Sequence, residues 1–338
     1  MIVLSALVPS GVPESGEQMR LSLARILSVA CALLAAGGPA FAIPQNSSNA
    51  PSSKPEKATS HPESENRPLP DIPKLLRDVD KNQRALEEIR KLYTCHLSEK
   101  EEELDSKGQV KSTTARDYDV FYVGDDEVRH LLAKDGKPLS PRDQNKEDDH
   151  FNKEFDKLKK KQAELANDPK KQAKQEEEDE AQLSDFLRAE RFTNPRRELY
   201  RGKDVIAFDF AANPEYKPKK EIDRIIQKIS GVLWVDEDAR EVVRLEARVD
   251  QPVKLGAGIL ASLHPGSTLI FEQEKINNEV WMPSYMAVHV DARIVIVKFR
   301  VNTADHYSEY KKFRVGTTLG PSERVPADQA PDSKPPSN

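Results

Sequence analysis

From Gly231 onward the chain runs through a series of short segments in which apolar and polar residues alternate, each closed by a polar turn. The segments are Gly231–Val235, Glu241–Val249, Thr268–Lys275, Val280–Val290, Arg293–Val301 and Tyr307–Val315, with turns such as Asp236-Glu237-Asp238-Ala239 and Asn277-Asn278. Alternation with period two is the mark of a strand with one wet and one apolar face. In Glu241–Val249 it places Val243, Leu245, Ala247 and Val249 on one face and Arg244, Glu246 and Arg248 on the other. Upstream, Tyr93–Leu104 turns at Asp105–Gly108 into Val110–Val123, and Gly124-Asp125-Asp126 leads into Glu127–Ala133 before a turn at Asp135-Gly136. Arg197–Arg201 and Asp204–Ala211 resume the pattern, with Ile206, Phe208 and Phe210 alternating against Ala207 and Asp209. About ten or eleven antiparallel strands exceed what a flat sheet tolerates, so an α+β fold built on one large curved antiparallel sheet is expected.

Helical periodicity interrupts the strands in three places. Leu75, Leu76, Val79, Leu86 and Ile89 recur at three-and-four spacing between Asp71 and Lys91, which predicts a helix needing a partner surface. Between Pro218 and Gly231, Ile222, Ile225, Ile226 and Ile229 predict a short amphipathic helix covering a sheet. The insertion 140–190 starts with the helix signal Ser140-Pro141 and is then dominated by Lys, Glu, Asp and Gln. Phe151, Phe155, Leu158 and Leu165 give it a thin apolar stripe for docking. Its most polar portion, about 167–180, reads as a solvated helix or flexible loop, because mixed charge runs are usually solvent faces.

Both ends have a different character. Met19-Arg20 and Arg25 precede an apolar run from Ile26 to Ala36, followed by Gly37-Gly38-Pro39 and Ala40-Phe41-Ala42. This order is that of a cleavable signal peptide over 1–42, with Met19 as the expected start. The run is about 11 residues where a spanning helix needs about 20, so no retained transmembrane helix is expected. Cys31 raises the question of acylation, but Ser28-Val29-Ala30 lacks the usual Leu three places before it. Residues 43–70 and 317–338 are rich in Pro, Ser and polar residues, and read as a disordered linker and tail around a folded unit at 71–316. After cleavage Cys95 would be the one cysteine left, which excludes an internal disulfide and suggests a buried thiol.

With 52 basic and 57 acidic residues the net charge is −5, which gives no basic footprint for nucleic acid. His96, His130, His150, His264, His289 and His306 are scattered without HExxH or paired spacing, so no metal site is expected. Gly256-Ala257-Gly258-Ile259-Leu260-Ala261 fits G-x-G-x-x-A. Pro265-Gly266 would end any helix there within two turns, so no dinucleotide or other cofactor is expected, and a mobile gate or a lid over the apolar face suits the segment better. No G-x-S-x-G elbow is present, and catalytic residues are expected to be absent. Trp234 and Trp281 sit inside strands, where they read either as core or as cavity walls. Ile270, Phe271, Met282 and Tyr285, with Phe208 and Phe210, add apolar area for a concave hydrophobic site.

Gly231-Val232-Leu233-Trp234-Val235-Asp236, a following strand ending in Arg-x-Glu-Ala, Phe271-Glu272, and Glu279-Val280-Trp281-Met282-Pro283-Ser284 together resemble the periplasmic outer-membrane lipoprotein-sorting proteins of the LolA-like superfamily. The resemblance spans about 90–315. It implies a half-open β-barrel closed by a helical lid, an apolar cavity for acyl chains and no catalysis. The lid would be Leu75, Leu76 and Val79 of the first helix and Ile222, Ile225, Ile226 and Ile229 of the second. The expectation is a periplasmic, outer-membrane-associated, non-enzymatic protein holding a lipid or lipoprotein acyl chain. The alternative is an envelope regulator or scaffold that binds another protein through the charged insertion and the sheet. If Trp234 lines the cavity, Trp234→Arg should abolish lipid uptake.

Overall fold

The structure is a computed structural model, and it describes residues 67–123, 126–168, 186, 189–218, 221–255, 261–294 and 297–312. The expected signal segment, most of the linker, the tail from 313 and residues 256–260 of the glycine motif lie outside the described residues.

The strands are β1 (Tyr93–Leu104), β2 (Val110–Val123), β3 (Asp126–Lys134), β4 (Lys137–Pro138), β5 (Glu190–Tyr200), β6 (Lys203–Ala212), β7 (Ile229–Asp236), β8 (Glu241–Val249), β9 (Val253–Leu255), β10 (Ala261–Leu263), β11 (Thr268–Ile276), β12 (Val280–Ile294) and β13 (Val297–Lys312). They form one 13-stranded sheet in the order β4-β3-β2-β1-β13-β12-β11-β8-β7-β6-β5, with β10 and β9 branching from β12. All its pairings among the described residues are antiparallel. The edges β4 and β5 do not pair, so the sheet curls without closing. The tight turns follow the sequence: in the three-residue connection Asn277–Glu279 between β11 and β12, Asn277 and Asn278 both take positive φ (52° and 55°), which Asn tolerates better than most residues, and the Glu279 amide donates to the Ile276 carbonyl at 2.9 Å.

The helices are α1 (Ile72–Arg90), α2 (Pro141–Asn167) and α3 (Glu221–Ile226). Asp71 caps α1 by accepting from the Lys74 amide at 2.9 Å. Leu75 and Val79 of α1 join a core cluster with Leu97, Phe208, Phe210, Leu233, Leu245, Phe271, Met286 and Tyr307, drawn from strands across the sheet. The rest of the stripe, Leu86 and Ile89, packs on Tyr93, Val280 and Met282. The helix therefore lies across the inner face of the curve. Ser140 caps α2 as its sequence predicts, accepting from the Asp143 amide at 3.2 Å. Phe151 and Phe155 bury against Val128 and Phe121. Phe121 follows core residue Val120, so α2 docks on the opposite, outer face.

Several expected bounds need correcting. Arg293–Val301 and Tyr307–Val315 are not separate strands: β12 runs on to Ile294, and the single strand β13 covers both stretches as far as Lys312, because it pairs with β12 at one end and with β1 along the rest. The helix expected from Pro218 to Gly231 is shorter, because Ile229 is claimed by pairing with Val249 and opens β7. Ile229 is thus a buried strand residue and not part of the lid. Val243 does not share a face with Leu245. A bulge places Trp234 opposite Arg244 and Val235 opposite Val242, so Val242 turns inward and Val243 turns outward.

A polar pin holds α1 to the sheet. Glu241, fully buried, accepts from Gln83 at 2.6 Å and Asn82 at 3.0 Å, and Arg90 lies 3.3 Å away. Arg90 also donates to the Trp281 carbonyl at 3.1 Å. Burial outweighs the arginine and raises the Glu241 carboxyl from 4.5 to about 7. The folded state holds that proton more tightly than the unfolded chain, so this group favours folding most below about pH 4.5, and its contribution is lost as pH rises through about 7. Glu241→Gln should flatten the fall in thermal stability over that window. Arg90→Ala, which strands a buried carboxylate, should cost about 3–5 kcal/mol in denaturant unfolding. A Cβ on Gly231 would meet the Glu246 carbonyl oxygen at 1.8 Å and Phe210 at 2.8 Å. Gly231→Ala should therefore lower the melting temperature, at a cost of about 1–3 kcal/mol or more.

Candidate functional site

The inner face of the sheet has two unlike halves. Over β5–β8 it is aromatic and aliphatic: Phe186, Phe192, Phe208 and Phe210 pack edge-on or tilted, with ring centroids 5.3–6.4 Å apart. Ile226 of α3 is buried in the same cluster, with Ile225 packed against it, and Leu76 and Ile72 of α1 also border it.

Over β1–β3 and β13 the inner face is charged. Glu99, Arg116 and Asp305 lie two residues from core residues Leu97, Tyr118 and Tyr307 respectively, and so share their face. Arg116 donates to Glu99 at 2.6 Å, while Arg129 reaches Glu99 at 3.3 Å and Glu127 at 2.5 Å. Glu127 Oε2, Asp305 Oδ1 and Tyr307 Oη are buried without a hydrogen-bond partner. Burial, reinforced by Glu99, holds the Asp305 carboxyl well above its ordinary range. Cys95 is buried nearby in the same core, and burial pushes its thiol up, away from reactivity.

Between α1 and the start of β5 a cleft of about 430 Å³ remains, lined by Ile72, Pro73, Leu76, Glu190, Arg191, Phe192, Asn213, Pro214 and Glu215. Its walls are apolar on the α1 side. Glu190 lies on the same face of β5 as Phe192, is 3% exposed, and has no partner for either carboxyl oxygen. Burial and then the charge of Asp250 raise its carboxyl to about 8.

The structure divides the residues singled out in the sequence between two faces. Phe208, Phe210 and Phe271 are inside, fully buried in the main core, and Met282 is inside beneath the end of α1. Trp234, Trp281, Ile270 and Tyr285 are outside. Trp234 sits between core residues Leu233 and Val235, so its ring projects from the opposite face and its Nε1 donates to Glu198 at 2.7 Å. Arg244 lies over the Trp234 ring at 5.6 Å and over Tyr200 at 5.9 Å. Trp281 packs with Val205, Val243 and Tyr200 on this outer face. Tyr285 meets the His306 ring at 5.3 Å, and Ile270 is half-buried between core neighbours Leu269 and Phe271. Of the expected lid, Leu75, Val79 and Ile226 are buried, whereas Leu76 and Ile225 are half-buried; Ile222 lies in α3.

Sequence reading missed the cleft residues Glu190, Phe192 and Asn213, because the strand was expected to begin only at Arg197. The one available signal was Glu190-Arg191-Phe192, a short alternation at the end of a charged run. Among the described residues no group of three or more His, Cys, Asp or Glu side chains is placed to hold a metal ion, and no helix is long and apolar enough to cross a membrane.

No family model matches the chain, and neither does any curated protein. The chain is similar to a solved lipoprotein-sorting domain. That crystal structure is of a Vibrio parahaemolyticus domain provisionally named as an outer membrane lipoprotein-sorting protein domain; the match has 10% identity over 72% of this chain and 93% of that one, with a TM-score of 0.29. The half-open sheet itself is set by the strand order and the two unpaired edges.

The division of faces predicts opposite behaviour for two aromatic positions. Phe208→Ala should cost about 3–5 kcal/mol in chemical unfolding, as a cavity in a packed aromatic cluster does. Trp234→Arg should leave a folded protein whose uptake of a fluorescent fatty acid equals that of the parent.

Proposed function

We propose that this protein is an exported, periplasmic carrier or sensor that takes an apolar chain, from a lipid or from the acyl part of a lipoprotein, beneath α1, and does not transform it. The observation that carries this reading is the cleft: an amphipathic helix lies over the apolar half of a curled sheet and leaves about 430 Å³, with Ile72, Pro73, Leu76, Phe192 and Pro214 on its apolar walls and Glu190, Arg191, Asn213 and Glu215 as its polar groups. A concave, mostly apolar site with few polar groups is how proteins hold such ligands. α1 can serve as the cover because the cleft lies beside its N-terminal turns, whereas the polar pin of Gln83, Arg90 and Glu241 fastens the far end. Swinging about that pin would lift Ile72, Leu75, Leu76 and Val79 from the sheet and open more of the interior.

The energetics suit a reversible carrier. Each buried methylene contributes about 0.8 kcal/mol, so roughly ten of them give about 8 kcal/mol before the cost of parting α1 from the sheet. That corresponds to affinities no tighter than about micromolar. Such a site holds a chain yet can pass it on.

The test is mass spectrometry of an organic extract from protein purified without detergent, together with displacement of a fluorescent fatty acid. A bound acyl chain and competitive displacement are expected; an empty protein that ignores the probe refutes the reading. Leu76 is half-buried, so Leu76→Arg should fold and lose probe affinity about tenfold or more, while an equal affinity would move the site away from the cleft.

A further inference from the structure

Glu190 is the one charged group of the cleft that lies inside the protein: 3% of it is exposed, and both of its carboxyl oxygens lack a partner. Leaving a buried polar group unpaired is costly, the more so when it is charged. Such a group calls for an explanation by what it could bind. The surroundings narrow the choice. α1 contributes only Ile72, Pro73 and Leu76, while β5 adds Arg191 and Phe192 and the segment after β6 adds Asn213, Pro214 and Glu215. Asp250, at the end of β8, adds negative charge close to Glu190. Once ionised, the carboxylate offers two free acceptor oxygens in a negative field, which a cation with several hydrogen-bond donors matches and a carbonyl or ether does not. A metal ion would need further ligands, and the described residues supply no such cluster.

We infer that the cleft binds the primary ammonium head of an alkyl amphiphile, with Glu190 as its counter-ion and Ile72, Leu76 and Phe192 against the first part of the chain. This rests on the apolar-ligand reading above and names the head group that the ligand carries. Aliphatic ammonium groups keep their proton to about pH 10. The free carboxyl, raised by burial to about 8, is neutral at pH 7. Docking therefore pairs R–NH3+ with a carboxylate and releases the Glu190 proton to solvent. Arg191 and Glu215 also line the cleft and Asp250 stands close to Glu190, and the Glu190 carboxyl is the group that gives up about one proton per ligand.

The experiment is titration calorimetry on the full chain at pH 7, in two buffers of different ionisation heat. The probes are dodecylamine, dodecanol and an N-acetyl-lysine amide, each below any micelle concentration. The expected result is that dodecylamine binds about tenfold or more tightly than dodecanol, the usual worth of a charge-assisted hydrogen bond, with about one proton released. Glu190→Gln should keep the dodecanol affinity, bring dodecylamine down to it and abolish the proton release. Equal affinity for amine and alcohol in the parent protein overturns the inference and leaves the apolar-ligand reading standing. Binding of neither overturns both. A lysine amide that binds as tightly as dodecylamine overturns the amphiphile in favour of a basic side chain. Should Glu190→Gln fail to fold, the buffer dependence of the parent protein decides alone: no released proton means no role for Glu190.

Discussion

The structure depends on the pairing of β1 with β13. It joins residues about two hundred positions apart, from Tyr93 opposite Lys312 to Leu104 opposite Arg300, and it links the meander β1–β4 to the rest of the sheet. Local hairpins could form the two parts separately, but only this non-local ladder makes one sheet long enough to curl. The curl creates an inside. It brings Leu97 and Tyr307 of this ladder into one cluster with Phe208 and Phe271, and it offers α1 a concave face to cover.

The same ladder carries the charged half of the interior. Glu99 stands opposite both Arg116 and Asp305, so one carboxylate is flanked by a guanidinium and by a second acid. Burying these groups costs free energy, which pairing repays only in part. The cluster therefore adds more to the specificity of strand register than to stability: a slip of one residue would turn Arg116 or Asp305 to the outer face and take from Glu99 its partner. The apolar half and the charged half together make the interior amphipathic, a property suited to ligands that have a chain and a polar head.

Much of the fold was legible because its signals are local. The alternation in 93–123, the turn at Asn277-Asn278, the Ser140-Pro141 helix start and the three-and-four spacing of α1 each arise from residues close in sequence. The site was less legible, because which face of a strand is buried depends on partners far away. Trp234 looks like a cavity residue, yet its neighbours Leu233 and Val235 take the inside, and a bulge reverses Val242 and Val243. The run Ser98-Glu99-Lys100-Glu101-Glu102-Glu103 reads as wet, whereas every second residue of it points inward against Arg116 and Thr303. Ile229 fits a helix by spacing but is taken by strand pairing with Val249, which also buries its side chain in the main core.

By itself the sequence determined most of the strands and helices, the antiparallel class and the excess of strands over what a flat sheet allows, because these follow from periodicity and turn chemistry within a few residues. Only the tertiary structure decided which aromatics line the interior, that half of this interior is charged, that α2 lies outside and α1 inside, and that Glu190 stands unpaired beside an apolar cleft. Those outcomes depend on strand register and on sheet curvature, which place residues from distant strands against one another, and no spacing along the chain encodes them.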